Sequence, residues 1–250
     1  MFALIVLGFV QGLCEFLPVS SSGHLVLLSK LFGIQDSLFV SIILHVATLL
    51  AVVVVMRKEI FYLIRNPFSP YTISLALATI STCLVVIFLM PYITSAFEGV
   101  VLPVFFALSG VILLIVSKQK DSQQKISYKR AIIIGLAQGL AIFPGLSRSG
   151  TTISAGLISG AGREESSKFS FLISLPIILG SLVMEIYKIT STGQVISVNP
   201  FAMVVSFIIS FIVGMICIKF MLKLPKSRSF KWFSFYLFAI SILSAIILWF

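Results

Sequence analysis

Two short stretches of the chain place ionisable and hydroxyl side chains within otherwise apolar sequence. The first stretch offers a carboxylate, consecutive serines and a histidine: Gln11, Glu15, Ser20, Ser21, Ser22 and His24. The second offers an arginine among hydroxyls: Gln138, Ser147, Arg148, Ser149, Thr151 and Thr152. A planar guanidinium suits phosphoryl oxygens, and a serine beside a base can act as a nucleophile. These residue types therefore indicate phosphate chemistry.

Helical spacing groups some of these side chains. Gln11 and Glu15 are four residues apart, and Ser21 and His24 are three apart, so each pair shares one face of a helix. Ser21 beside His24 is a candidate nucleophile with its base. The alternative is that Ser21 only caps a helix and His24 only hydrogen-bonds the backbone or a substrate. Glu15 and Arg148 carry opposite charges, either as a functional pair or as a structural ion pair.

Each stretch also contains a candidate helix start after a proline. In the first stretch Ser20 or Ser21 can accept hydrogen bonds from the free N–H groups of the following helix, and in the second Ser147 or Ser149 can do so. Both helix N-termini would then direct free N–H groups and positive dipole ends into one cavity. Together with Arg148 they would form an anion site that a diphosphate fits.

The composition places both stretches in a membrane protein. Apolar residues make up 59% of the 250-residue chain and charged residues 10%, whereas a soluble domain carries about 25% charged residues. This excludes a cytosolic enzyme and a disulfide-stapled secreted module. The net charge of +10 would suggest nucleic acid in a soluble protein. Here the basic residues lie in short loops between apolar runs, so topology explains them and no nucleic-acid partner is expected.

Six segments are long and apolar enough to cross about 30 Å of hydrocarbon. They are 37–57, 71–93, 98–117, 164–187, 199–222 and 231–250. His45 in the first of them predicts an interhelical hydrogen bond rather than a site. Two further regions are too short to cross and are broken at Pro18 and at Pro144. They consist of the pairs 1–17 with 21–33 and 128–143 with 148–161. Each pair predicts a re-entrant hairpin, whose broken backbone needs protein or a water-filled cavity around it.

The distribution of basic residues orients this arrangement. With six spans and two hairpins, fifteen lysines and arginines fall on one side of the membrane and two on the other. The positive-inside rule makes the richer side the cytoplasm. Both termini are therefore predicted to be extracytoplasmic.

The two polar stretches are copies of each other. Residues 8–24 align without gaps on residues 135–151, with eight of seventeen positions identical. An odd number of spans separates the copies, which predicts an inverted-topology repeat whose discontinuous helices meet near the bilayer midplane. We expect a single all-α polytopic membrane domain, with repeats at about 1–117 and 128–250 and a cytoplasmic loop at 118–127.

The two motifs resemble those of the undecaprenyl-diphosphate phosphatase family of the bacitracin-resistance type. Residues 11–24 resemble the first motif, which contains (E/Q)xxxE, and residues 144–152 resemble the PGxSRSxxT motif. The resemblance covers nearly the whole chain. It implies a multi-pass enzyme of the bacterial plasma membrane that hydrolyses undecaprenyl diphosphate to the monophosphate carrier lipid and phosphate. This activity recycles the lipid for cell-wall synthesis and confers bacitracin resistance.

Roles follow for the matching residues. The expected catalytic residues are Glu15, Ser21, His24 and Arg148. The expected substrate contacts are Gln11, Ser20, Ser147, Ser149 and Thr152. Ser21 attacks phosphorus or positions a water, Glu15 is a general base or a metal ligand, and His24 assists proton transfer. The resemblance implies that Mg²⁺ or Ca²⁺ is a cofactor. Because position 11 is Gln, Glu15 is the one strong carboxylate available to bind this ion. The diphosphate of the substrate would have to supply most of the other ligands.

The expected partners are a polyprenyl diphosphate lipid and the bilayer, and a homodimer is allowed. A lipid flippase, or a secondary transporter for a phosphorylated lipid or an anion, is the alternative function, because inverted repeats with broken helices also build transporters. The concentration of Ser, His, Glu and Arg in the two stretches favours hydrolysis.

Overall fold

The computed structural model describes residues 1–34, 37–96, 101–119, 122–192, 198–224 and 229–249. Across these residues the secondary structure is α-helical. The helices are α1 (Phe2–Cys14), α2 (Ser21–Phe32), α3 (Ser37–Val55), α4 (Arg57–Arg65), α5 (Pro70–Ala96), α6 (Leu102–Val116), α7 (Tyr128–Leu140), α8 (Arg148–Ile158), α9 (Arg163–Thr192), α10 (Pro200–Lys223) and α11 (Ser229–Trp249).

Several helices are long and apolar enough to cross a membrane. Four qualify on their own within the described residues, in α5, α9, α10 and α11, and α3 with α4 forms a fifth, bent candidate. The chain is therefore an all-helical polytopic membrane protein, as the composition predicts. The predicted span 98–117 contains α6, which has 15 residues, while its first residues, 98–100, lie outside the described part.

The predicted span 37–57 needs a correction. α3 ends at Val55, and α4 follows at an angle of 75° to it. The 19 residues of α3 measure about 28 Å at the rise of an α-helix, close to the thickness of the hydrocarbon. The charged residues Arg57, Lys58 and Glu59 then begin a separate helix, which was not predicted because it is short and mixed in polarity.

The predicted helix–break–helix pattern is confirmed at both polar stretches. α1 and α2 flank a break at residues 15–20, and α7 and α8 flank a break at residues 141–147. The four helices have 13, 12, 13 and 11 residues. Each is only about 16–20 Å long, so none crosses the hydrocarbon alone.

Both first half-helices pack closely against a long helix through glycine. A Cβ atom added to Gly8 of α1 would lie 2.5 Å from the carbonyl oxygen of Ser206 in α10. A Cβ atom on Gly135 of α7 would overlap the carbonyl of Ala78 in α5 in the same way. Gly8 and Gly135 are matching positions of the two copies. Small residues allow such close backbone approach between membrane helices, and here they hold each first half-helix against a long helix.

Candidate active site

Glu15 lies at the end of α1, where the first break begins, and is 4% exposed. Its Oε1 accepts a hydrogen bond from Arg148 Nη2, at the start of α8. Its Oε2 accepts from Ser21 Oγ at 2.5 Å and from Gln11 Nε2 at 3.1 Å. A buried charge is tolerated only when it is paired and hydrogen-bonded. The fold thus brings the carboxylate of one copy to the arginine of the other.

The starts of α2 and α8 are capped by equivalent serines. Ser20 Oγ accepts from the N–H of Gly23 at 3.4 Å, and Ser147 Oγ accepts from the N–H of Gly150 at 3.1 Å. Of the alternatives in each stretch, Ser20 and Ser147 are therefore the caps. Ser21 is left to bond Glu15.

The two helix starts are tied to each other through Gly145. The N–H of Gly145 donates to Ser20 Oγ at 3.1 Å, while its carbonyl accepts from Ser109 Oγ, also at 3.1 Å. Ser109 Oγ also accepts from the N–H of Ser147 at 2.9 Å. Gly145 has φ +93°, a conformation that other residues rarely adopt. Ser20 itself has φ 69°, a strained value that the hydrogen bonds from Gly23 and Gly145 help to hold.

A cavity of about 210 Å³ opens between these elements. Its polar lining residues are Glu15, Ser20, Ser21, Ser22, Ser41, His45, Ser147, Arg148, Ser149 and Ser181. Its other lining residues are Cys14, Ala141, Ile142, Leu146, Ile177 and Ile178. Pockets for drug-sized ligands measure about 300–1,000 Å³, so this cavity is of a size for a small head group and not for a lipid chain.

Three of the expected site residues lie outside this lining. Gln11 is fully buried and bonds Glu15 and Thr48. Thr152 Oγ1 donates to the carbonyl of Arg148 at 2.8 Å and lies 2.5 Å from Ser170 Oγ, so it supports α8 from behind. Both residues are placed to orient their neighbours and not to contact a ligand in the cavity.

His24 is the third such residue. Its Nδ1 lies 2.7 Å from the carbonyl oxygen of Ser20, and its Nε2 lies 2.6 Å from the hydroxyl of Tyr236 in α11. The two rings are also stacked. The hydroxyl of Ser21 is therefore bonded to Glu15, and both nitrogens of His24 are engaged elsewhere. The spacing of Ser21 and His24 correctly indicates one helix face but not these partners.

Sequence reasoning missed two residues that the fold brings to the site. His45 lines the cavity, with Nε2 3.7 Å from Glu15 Oε2, and its Nδ1 lies 2.7 Å from the carbonyl oxygen of Ser41. Ser109 fixes the loop before α8. The available signal for His45 was a histidine in an apolar span. Ser109 gave no signal, because a serine in a membrane helix commonly bonds its own backbone.

The donor set of the cavity does not form a resident metal site. Glu15 is its one lining carboxylate, and both of its oxygens already accept hydrogen bonds. Within the described residues there is no cluster of three or more His, Cys, Asp or Glu side chains. Mg²⁺ and Ca²⁺ need about six or more oxygen ligands, so the one carboxylate among the described lining residues is too few to hold the ion alone.

The arrangement can bind a phosphate and activate a hydroxyl. Arg148 uses Nη2 toward Glu15, and a guanidinium has further N–H donors for an anion. The starts of α2 and α8 add free N–H groups and positive dipole ends to the same cavity. Ser21 Oγ is already hydrogen-bonded to a carboxylate, which is the geometry of a nucleophile with its base.

Comparison with known proteins is consistent with this chemistry. The family model described as "Bacitracin resistance protein BacA" matches residues 4–243. A protein of Carboxydothermus hydrogenoformans named undecaprenyl-diphosphatase is 36% identical, over 96% of this chain and 95% of its own length. Proteins with the same name from Treponema denticola and Thermosipho melanesiensis are 36% and 37% identical, over 99% and 97% of this chain and 97% and 98% of their own.

Proposed function

The chain belongs to the bacitracin resistance protein family, and from this we propose that it is a membrane phosphatase hydrolysing undecaprenyl diphosphate to undecaprenyl phosphate and inorganic phosphate. The observation that carries the proposal is the Glu15 carboxylate, which contacts both the Ser21 hydroxyl and the Arg148 guanidinium. The reaction returns the carrier lipid to cell-wall synthesis and confers bacitracin resistance.

Substrate binding rearranges the ion pair. The lipid enters laterally, with its chain in the bilayer and its diphosphate in the cavity. The phosphoryl oxygens take donors from Arg148, from Ser147 and Ser149, and from the N–H groups at the two helix starts. Because Arg148 then also binds the phosphate, its ion pair with the Glu15 carboxylate weakens. Glu15 can then accept a proton as a base.

The chemical step transfers the terminal phosphoryl group to Ser21. Ser21 Oγ attacks the terminal phosphorus while its proton passes to Glu15, and the bridging P–O bond breaks to release undecaprenyl phosphate. Water then attacks the phosphoserine, the bond between phosphorus and Ser21 Oγ breaks, and Glu15 returns its proton to Oγ, which releases inorganic phosphate and restores both groups. Arg148 and the helix N–H groups stabilise the charge on the phosphoryl oxygens in both steps. A water positioned by Ser21 is the alternative nucleophile.

The remaining expected site residues act on the position of these groups. Gln11 holds Glu15 from α1, and Thr152 holds the first turn of α8. For His24, the contacts with Ser20 and Tyr236 favour holding the start of α2 over the proton transfer expected from its spacing.

A divalent cation, Mg²⁺ or Ca²⁺, would enter with the substrate. Diphosphate oxygens and waters would supply most of its ligands, and Glu15 is the one carboxylate of the cavity that could add to them. The cation would contribute neutralisation of phosphate charge. None of the steps above depends on it.

The membrane arrangement is part of the proposal. It has six spans and two re-entrant hairpins in the plasma membrane, with repeats at about 1–117 and 128–250. The matching contacts of Gly8 with Ser206 and of Gly135 with Ala78 support an inverted repeat, because equivalent glycines each pack on a long helix, α10 and α5. Both termini are extracytoplasmic, as the basic residues indicate. A homodimer stays a prediction.

Phosphate release by the purified protein tests the function. Wild-type protein in detergent should release phosphate from undecaprenyl diphosphate, and Glu15→Gln should lower kcat about a hundredfold, because an amide cannot accept the proton of Ser21. Gln11→Ala should lower kcat about tenfold or less, since Gln11 orients Glu15 but is already neutral. Lipid movement without phosphate release would favour the transporter. A Gln11 variant more damaged than the Glu15 variant would reverse their roles.

Ser109 provides a test of the loop that carries Arg148. Ser109→Ala leaves the buried N–H of Ser147 without its acceptor, a loss that costs about 1–3 kcal/mol. We expect kcat/KM to fall about tenfold, with partial rescue by Ser109→Thr. Ser234→Ala is the matched control, because its buried hydroxyl bonds the carbonyl of Gly110, the next residue of α6, and not the loop. Equal activity losses in the two alanine variants would remove Ser109 from the site.

A further inference from the structure

A second cavity lies where α3 bends into α4, beside the last turns of α10. Its volume is about 190 Å³, and it is lined by Val54, Val55, Arg57, Lys58, Met215 and Lys219. It shares no lining residue with the candidate active site. Among its described lining residues there are three cations, three apolar side chains and no carboxylate. The cavity therefore combines a strongly positive end with an apolar end.

No ion pair among the described residues neutralises these positive charges. Within the described residues, the ion pairs join Glu15 to Arg148 and His45, and Lys168 to Glu164, so none includes a cation of this cavity. The nearby Glu59 lines a different cavity, with Lys58, Tyr62 and Tyr71. Three cations gathered without a carboxylate raise the local positive potential and attract an anion.

The exposed side chains of α4 indicate that this cavity lies at the level of the lipid head groups. It turns away from α3 by 75°, and none of its residues is buried. Phe61, Tyr62 and Ile64 are 55%, 50% and 72% exposed. A short helix with exposed apolar and basic side chains lies in the membrane interface. The cations therefore face the phosphate layer, while Val54, which is 42% exposed, faces the hydrocarbon.

We propose that this cavity binds the head group of an anionic phospholipid. The phosphate lies among Arg57, Lys58 and Lys219, and the acyl chains run along Val54 and Met215. A zwitterionic lipid also carries a phosphate, but its ammonium group meets cations and no carboxylate in the lining. Charge complementarity thus selects an anionic head group such as phosphatidylglycerol.

Lipid retention by the purified full-length chain tests the site. The protein in detergent micelles is titrated with dioleoylphosphatidylglycerol or dioleoylphosphatidylcholine, and bound lipids are counted by native mass spectrometry. The triple variant Arg57→Gln, Lys58→Gln, Lys219→Gln should need about a hundredfold more phosphatidylglycerol for half occupancy. Its retention of phosphatidylcholine should not change.

The matched control removes three other exposed cations, in the variant Lys118→Gln, Lys129→Gln, Lys231→Gln. It should retain phosphatidylglycerol like the wild type. Both triple variants should also release phosphate from undecaprenyl diphosphate at the wild-type rate in micelles without added phospholipid, which would show that they are folded. The proposal would be overturned if both triple variants bound phosphatidylglycerol equally weakly, or if the variant of the cavity residues bound it as well as the wild type does. Preferential loss of added undecaprenyl phosphate, with phosphatidylglycerol unaffected, would overturn the choice of ligand. If the triple variant fails to fold, Lys219→Gln alone should show a shift of about fivefold, which corresponds to about 1 kcal/mol for one cation.

Discussion

Replacing Arg148 by alanine should lower kcat/KM for undecaprenyl diphosphate about a thousandfold, and replacing it by lysine about a hundredfold. Removing one positioned donor to a developing oxyanion costs about 10²–10³ in rate, and alanine also leaves Glu15 as an unpaired buried charge. Lysine keeps the charge but loses the planar fork that can bond Glu15 and two phosphoryl oxygens together. Steady-state phosphate release by the purified variants measures both effects.

Arg130→Lys is the control for this pair of variants. Arg130 also makes several hydrogen bonds, to Gln124 and to the carbonyls of Lys125 and Ser159, but it does not line the cavity. It should therefore keep nearly wild-type activity. An Arg148→Lys variant that turned over at the wild-type rate would show that a point charge suffices, and the bidentate phosphate contact would be wrong.

The breaks and caps of the site could be predicted because their signals are local. Pro18 and Pro144 interrupt apolar runs, and serines follow them at positions where helix N–H groups need an acceptor. The contact between Glu15 and Arg148 could also be predicted, since an ionisable side chain at membrane depth needs a partner. These inferences needed only residue type, spacing and the polarity of the surroundings.

Contacts between distant segments could not be predicted in this way. His24 bonds Tyr236, which is 212 residues away, and nothing in the spacing of α2 indicates which helix covers that face. Ser109 and His45 sit in apolar spans, and their roles depend on how α6 and α3 pack against the breaks. The bend between α3 and α4 was not predicted for a different reason: α4 is short and mixed in polarity, so no apolar run marks it.

The two copies of the polar stretch, residues 8–24 and 135–151, supply different chemical groups to the site at the positions where their sequences differ. Ser21 and Arg148 occupy the same place in the alignment of residues 8–24 with 135–151. Equivalent caps, Ser20 and Ser147, precede them. The two copies thus supply similar helix starts, but one presents a hydroxyl and the other a guanidinium. Glu15 has an isoleucine, Ile142, as its counterpart, so the carboxylate that joins the two groups comes from one copy alone.

Ser21→Ala should therefore have the largest effect, at least about a thousandfold on kcat, if Ser21 is the nucleophile. Its Oγ is the hydroxyl bonded to Glu15, and alanine leaves no atom to attack phosphorus. Undecaprenyl diphosphate labelled in its terminal phosphate, quenched in acid after milliseconds, should leave label on wild-type protein. Peptide mapping should place that label on Ser21.

Ser22→Ala is the matched control, because Ser22 also lines the cavity at the start of α2, with its hydroxyl 3.5 Å from Ser20 Oγ and no bond to Glu15. It should lose about tenfold or less and still form the labelled enzyme. If a positioned water attacks instead, Ser21→Ala should resemble Ser22→Ala and wild-type protein should carry no label. That result would leave the Glu15–Arg148 site intact, because a water held at the place of Ser21 Oγ could give its proton to the same carboxylate.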